Sequence, residues 1–258
     1  MIDTHTHLYL PEFDSDRDAT MLRATEAGIG MMILPNVDLS TIEPMKALHK
    51  AYPSCTAMAM GLHPTEIDGE WRQHLDRIEA ELKSEERYIA VGEVGIDLYW
   101  DKQYRYEQTE ALDAQMDMAL DAGLPMIIHC REGLDTILDL LRSRHGRIPE
   151  LVFHSFGGTT DDICAIRRLC DPMFGINGIV TFKNSHLHET LPSIGLEHIL
   201  LETDAPYLAP VPCRGKRNES SYIRFTAARI ADIFKTTADN IADITTRNAQ
   251  TFFGLTDH

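Results

Sequence analysis

The feature that most constrains this chain is an alternation of short apolar segments with longer stretches of helical spacing. Eight short segments recur, at residues 1–5, 31–36, 56–63, 88–95, 125–129, 151–154, 173–176 and 199–204. Near-continuous apolar runs of this length suit strands buried on both faces, and alternation with helices makes the sheet parallel. Residues 14–27, 103–122, 134–144, 159–170, 222–234 and 238–253 carry the helical signals. Gly28, Gly123 and Gly146 mark stops, because a helix ends readily on a glycine. Eight such units make either a closed (β/α)8 TIM barrel or an open doubly wound sheet. Neither GxGxxG nor GxxxxGK[ST] occurs, which removes the best support for a nucleotide-binding open sheet. With 258 residues and no linker or low-complexity tract, the expectation is one α/β domain over 1–258 with two extra C-terminal helices.

The position of the polar residues favours the barrel. Strand one ends in His5 and His7, strand three in His63, strand four in Glu93, strand five in His129, strand six in His154 and strand eight in Asp204. In a barrel the carboxyl ends of all strands surround one mouth, so these residues converge; an open sheet would spread them along a line. At strand period two, His5 and His7 share a face with Asp3, while Thr6 turns away. Two neutral imidazoles on one face are a cation site, and Asp3 is placed to orient one of them. Glu93 lies in an apolar strand, where an isolated carboxylate is costly unless it is paired. Bridging two cations resolves that cost.

The expected centre therefore holds two divalent cations. His5, His7 and Asp204 hold the first, His129 and His154 the second, and Glu93 bridges them. Mixed imidazole and carboxylate ligands admit zinc, magnesium or manganese. Two such ions bring +4 against −2 from Glu93 and Asp204, a field suited to an anionic substrate such as a phosphodiester. The chain as a whole carries −16, which argues against a non-specific nucleic-acid coat but not against a locally positive cleft. The one dense basic cluster, Arg214, Lys216 and Arg217, follows strand eight directly, and is either a grip on a nucleic-acid backbone or a solvated loop.

The five cysteines lack CxxC spacing, and their odd number suits free thiols in a reducing compartment. Cys130 follows His129 but faces the other way in a strand, so its expected role is structural. No apolar run approaches the roughly 20 residues that span a membrane. The start MIDTHTHLYL has neither the basic nor the apolar part of a secretory signal. Cytoplasmic residence is expected, with no membrane partner and no obligate protein partner.

These residues sit in motifs that resemble the TatD family of metal-dependent hydrolases, within the wider amidohydrolase-like barrel group. The motifs are IDTHTHL, GLHPTE, VGEVGIDLYW, LPMIIHCRE, FHSFGG, GIVTFKNS and LLETDAPYLAPVPCRGKRNES, in order through residues 2–221, with TTRNAQTFFGL as the C-terminal helix. The resemblance implies a (β/α)8 barrel, a divalent-metal site on His5, His7, Glu93, His129, His154 and Asp204, and hydrolase activity, deoxyribonuclease or 3′→5′ exonuclease in some members. HSFGGT stands where the family usually has HSFSGS, and RNES where RNEP is commoner; both are loop positions near the mouth.

The leading expectation is a metal-dependent deoxyribonuclease. Glu93 and Asp204 are its catalytic carboxylates, with Asp204 taking the proton of the attacking water. His63 is expected to touch the substrate phosphate. Arg131 is expected either to clamp that phosphate or to pair with nearby carboxylates, and Glu202 either to support the site or to anchor the loop that follows. The alternative is an amidohydrolase or esterase acting on a C–N or carboxyl-ester bond. Many barrels of that kind bridge their metals with a modified lysine on strand four, where this chain has Glu93. A non-catalytic binding scaffold is disfavoured because every ligand type is present.

Overall fold

The computed structural model describes residues 1–100 and 102–255. All eight expected strands form, and they make one parallel sheet in chain order: β1 (Ile2–Asp3), β2 (Met31–Pro35), β3 (Thr56–Met60), β4 (Tyr88–Asp97), β5 (Met126–Arg131), β6 (Leu151–Phe153), β7 (Met173–Ile176) and β8 (Ile199–Leu201). The first and last strands meet. Thr4 N donates to the Leu201 carbonyl at 3.0 Å, Asp204 N to His5 at 2.9 Å and His7 N to Ala205 at 2.8 Å, with Thr6 bridging Ala205 in parallel. An open sheet would leave those groups as an edge; here the barrel is closed.

The helices are α1 (Arg17–Glu26), α2 (Ile42–Ala51), α3 (Trp71–Leu82), α4 (Arg105–Ala122), α5 (Leu134–Ser143), α6 (Thr160–Arg167), α7 (Leu187–Ile194), α8 (Ile223–Phe234) and α9 (Ala238–Phe252). Three of them, α2, α3 and α7, lie outside the six expected segments. α1 starts later than expected because Pro11–Phe13 forms a 3-10 turn first. α6 starts on a reciprocal cap: Asp162 N donates to Thr159 Oγ1 and Thr159 N to the Asp162 carboxylate. α4 ends, as expected, at Gly123 with φ 64°.

Strand alternation divides the core into two layers. Met32, Leu34, Met58 and Met60 pack outward under the helices, in the larger apolar cluster. Ile33, Ala57, Ala59, Ile89, Ala90, Ile127, Val152 and Leu200 fill the barrel interior with Ala249 of α9 and Phe253 just after it. Asn248 donates to the Leu196 and Ile199 carbonyls, which seats α9 at the amino end of β8. That end of the barrel is plugged. The polar residues are left to the opposite mouth.

β4 is the strand that departs most from ideal geometry. Val91 pairs with Met126 but Val94 with Ile128, so β4 carries one extra residue over this stretch, a bulge that re-aims the side chain within it. That side chain is Glu93. The strands run unusually close here: a Cβ on Gly92 would stand 2.7 Å from Ile127 Cβ, and one on Gly95, whose φ is +150°, would strike the His129 carbonyl oxygen. Gly95→Ala is therefore expected to lower stability by about 3 kcal/mol or more, combining a disfavoured φ with overpacking. Urea unfolding measures this, and a loss under about 1 kcal/mol would contradict the close approach.

Candidate metal centre

The mouth residues gather around Glu93, whose two oxygens face different sets of imidazoles. On the Oε2 side, His5 Nε2 and His7 Nε2 stand 3.1 Å from each other, and Glu93 Oε2 is 3.1 and 3.6 Å from them. Asp204 Oδ1 lies 3.9 and 3.7 Å from the same two nitrogens. Donors bound at 2.0–2.2 Å to one tetrahedral ion stand about 3.3–3.6 Å apart. The two nitrogens and Glu93 Oε2 therefore bracket a position of the right size for a cation, with Asp204 Oδ1 at its margin. On the Oε1 side, His129 Nδ1 is at 2.8 Å, His154 Nε2 at 3.2 Å and His63 Nε2 at 3.3 Å. Among the described residues, His5–His7–Glu93, His63–Glu93–His129 and His5–His154–Glu202 are the groups close enough to share an ion.

The bend of the chain explains this convergence. β1 is only two residues long, so His5 and His7 lie beyond it, held in extended alignment between β2 and the segment after β8 by Thr6 N donating to Ile33 and His7 N to Ala205. Asp204 follows β8 at φ 57°, a conformation that asparagine and aspartate tolerate better than most residues. His63 lies past the end of β3 and caps the 3-10 turn Pro64–Glu66 by accepting from Thr65 N.

Behind the imidazoles stand groups that fix their orientation. Tyr9 O–H donates to the Pro35 carbonyl at 2.5 Å, so the Tyr9 oxygen is left to accept from His7 Nδ1 at 2.8 Å. That protonates Nδ1 and turns the Nε2 lone pair toward Glu93. His129 presents Nδ1 to Glu93 because its Nε2 is held by Asp97 Oδ2 at 2.9 Å. His154 Nδ1 lies 3.2 Å from Glu202 Oε1, which also accepts from Ser155 N at 2.6 Å. Gly175 makes room for this arrangement, since a Cβ there would strike the Glu202 carboxylate.

Burial and charge set the protonation states. Burial pushes His7 down to about 4 and His5 well below the usual histidine value, so both rings are neutral. Burial acts downward on His129 and His154 too, but Asp97 and Glu93 beside the first, and Glu202 and Glu93 beside the second, raise them. For Glu93 burial acts upward and the imidazoles of His154, His5 and His63 outweigh it, holding the carboxyl well below its usual range. Burial pushes Asp204 up to about 7, with Glu93 and Glu202 adding and His154 opposing. Divalent cations would displace the protons on His129 and His154, because ligand imidazoles bind as neutral donors.

All six residues expected as ligands thus meet. His63 is placed differently from the expectation: it faces Glu93 inside the second group rather than standing apart from it. Asp3 does not reach an imidazole. It accepts from Thr203 N at 2.9 Å and Thr203 Oγ1 at 2.7 Å, tying β1 to the end of β8. Glu202 supports His154 and Ser155, not the loop that follows. Arg131 pairs with no carboxylate among the described residues; its guanidinium lies 3.6 Å over the Tyr99 ring. The basic cluster divides. Arg217 is taken up by Asp16 at 2.7 and 2.8 Å and by the Glu12 carbonyl, with its guanidinium over Phe13, whereas Arg214 is exposed beside Phe182 and Lys216 is exposed. Cys130 is kept as a thiol, pushed by burial up to about 12, and belongs to none of the ion-sized groups. Two contributors were not foreseen. Asp97 sits at strand period two from Glu93, a signal present in the sequence; Tyr9 gives none, since only the fold brings Pro35 to its hydroxyl.

Residues 2–254 match the family described as TatD related DNase. The chain is 33% identical to the uncharacterized metal-dependent hydrolase YabD of Bacillus subtilis (strain 168), over 99% of each chain. It is 30% identical, again over 99% of each, to the 3'-5' ssDNA/RNA exonuclease TatD of Escherichia coli (strain K12). The crystal structure of YjjV, a TatD homolog from Escherichia coli K12, superposes with a TM-score of 0.91 at 29% identity, covering 99% of this chain and 98% of that one.

The Tyr9 contact can be tested apart from catalysis. Tyr9→Phe removes the acceptor of His7 Nδ1–H, and losing such a partner typically weakens metal affinity 10–100-fold. A drop of about tenfold in divalent-cation affinity is expected by calorimetry, with the far-UV spectrum unchanged; unaltered affinity would show that His7 is oriented without Tyr9.

Proposed function

The chain belongs to the family of TatD-related DNases and is a metal-dependent hydrolase of phosphodiester bonds, and from that premise we propose that it degrades single-stranded nucleic acid from the 3′ end. The observation that carries this reading is Glu93, one buried carboxylate whose two oxygens each face a separate group of donors. Two divalent cations fit it. His5 and His7, with Asp204 and Glu93 Oε2, would hold one; His129, His154 and His63, with Glu93 Oε1, would hold the other. Zinc, manganese and magnesium all match parts of this mixed donor set.

Bound there, the cations would supply charge that draws a phosphodiester in and a water acidic enough to attack it near neutral pH. The chain's own residues do the rest. Tyr9, Asp97 and Glu202 hold His7, His129 and His154 with a chosen nitrogen toward the centre. Asp204 reaches the His5 and His7 side with Oδ1 and is partly open to the mouth, so it is the group placed to accept the water's proton and return it to the leaving oxygen. Its raised pKa describes the protein without a cation; a cation beside it acts in the opposite direction. Of the basic cluster after β8, Arg214 and Lys216, which have no ion pair among the described residues, are the side chains left to meet the backbone of a strand.

The relative's name supports the 3′ direction and the single-stranded substrate. Free thiols at all five cysteines suit a reducing compartment such as the cytoplasm. Among the described residues no helix is long and apolar enough to cross a membrane.

Metal-reconstituted protein is to be assayed on 3′- and 5′-labelled single strands and on a panel of amides and lactones. Turnover of the carbonyl panel alone would sink the nuclease reading. Asp204→Asn is expected to cut strand cleavage about 10³-fold with the circular dichroism unchanged, the scale of a lost general base; near-normal turnover would remove Asp204 from that role. Arg214→Ala should flatten the salt dependence of strand binding by close to one counterion, whereas Arg217→Ala should leave the slope as it was. The opposite pattern would mean that Asp16 releases Arg217 to the substrate.

A further inference from the structure

Beyond the cation groups, the carboxyl ends of β4 and β5 carry a feature that the hydrolytic chemistry does not use. Tyr99 and Trp100 follow β4 after Leu98 and are 50% and 70% exposed, although burying such rings is among the larger apolar gains in folding. Their rings meet edge to face at 4.9 Å. The Arg131 guanidinium, at the end of β5, stacks on Tyr99 at 3.6 Å from the ring centre and reaches Trp100 at 5.3 Å. The three side chains form one exposed, cationic and aromatic surface.

This surface is tied to the centre through a single carboxylate. Asp97 Oδ2 holds His129 Nε2 at 2.9 Å, while Asp97 Oδ1 accepts from Tyr99 N at 3.0 Å and Trp100 N at 3.4 Å. Leu98 N donates to the Arg131 carbonyl at 2.9 Å, so the two strand ends are locked together beneath the rings. Arg131 and His154 also line a common cleft of about 500 Å³. Arg131 of this surface and His154 of the centre therefore border one opening, and Asp97 ties the backbone of both rings to His129. A side chain that merely shielded apolar area would need none of this anchoring.

We propose that Tyr99, Trp100 and Arg131 form a stacking platform for an unpaired nucleobase of the strand whose phosphate lies at the Glu93–Asp204 centre. This rests on the nuclease reading above. Exposed aromatic rings recognise any base by its π-face, and a guanidinium adds charge for the adjoining phosphate, so the platform favours single strands without selecting sequence. A paired base has its faces covered by its neighbours and cannot take this seat.

The experiment compares the full-length, metal-loaded protein with its Trp100→Ala variant on two strands of equal length. One strand carries bases throughout; the other is abasic at the nucleotides flanking the cleaved bond. The platform predicts that the ratio of kcat/KM for the base-bearing over the abasic strand falls about tenfold in the variant, mainly through KM, the scale of one lost stack. It also predicts that in a Trp71→Phe background, where Trp100 is the remaining tryptophan, a phosphorothioate oligothymidylate quenches the fluorescence and the abasic strand does not. An unchanged ratio, or equal quenching by both strands, overturns the platform while leaving the nuclease reading intact. Absence of cleavage of either strand by the wild type overturns the nuclease reading, and the platform falls with it.

Discussion

The charge state of one buried side chain organises the rest of this structure. Glu93 sits in the middle of an apolar strand, where its ionised carboxyl can persist only if opposite charge or strong hydrogen bonding surrounds it. Its Oε1 meets that demand from His129 and His154, whose protonated rings stand beside it with His63, whereas on the Oε2 side the neutral His5 and His7 leave compensation to a cation that they would hold. Those five imidazoles come from four different βα units. The barrel closure between Thr6 and Ala205, the bulge in β4 and the glycines beside Glu93 can all be read as conditions for bringing them to one carboxylate.

The same compensation shapes the layer behind. An imidazole in a crowded polar cluster has two nitrogens, and chemistry needs a particular one aimed inward. Tyr9 and Asp97 each hydrogen-bond the outer nitrogen of a ring and Glu202 stands beside that of a third, so the inner nitrogens face Glu93 before any ligand arrives. Asp97 has a second duty, because its other oxygen pins the backbone that presents Tyr99 and Trp100. Order at the centre and order at the exposed surface are thus mechanically linked through β4.

The acidic chain as a whole repels polyanions, so recognition of a strand has to be local. Arg217 illustrates how little a basic motif says by itself: its guanidinium is spent on Asp16, the Glu12 carbonyl and the Phe13 ring, anchoring the loop after β8 to the start of α1. Arg131 shows the converse. A residue open to two readings in sequence has, in the fold, neither a carboxylate partner among the described residues nor burial, and lies instead on an aromatic face.

The sequence by itself determined the number and order of the strands, the parallel sheet and the identity of the residues at the mouth. Apolar periodicity and the placement of His5, His7, Glu93, His129, His154 and Asp204 at strand ends are local properties that any one segment displays. It could not reveal that His63 joins the second group, that Asp3 serves the backbone of Thr203, or that Arg217 is withdrawn, because each depends on a partner distant in sequence. α2, α3 and α7 likewise went unrecognised, their apolar faces being defined by the sheet beneath them. The division of labour between Glu93's two oxygens belongs to tertiary structure alone: a one-residue bulge and the tight passage of β4 against β5 decide where a carboxylate points, and no spacing rule encodes that angle.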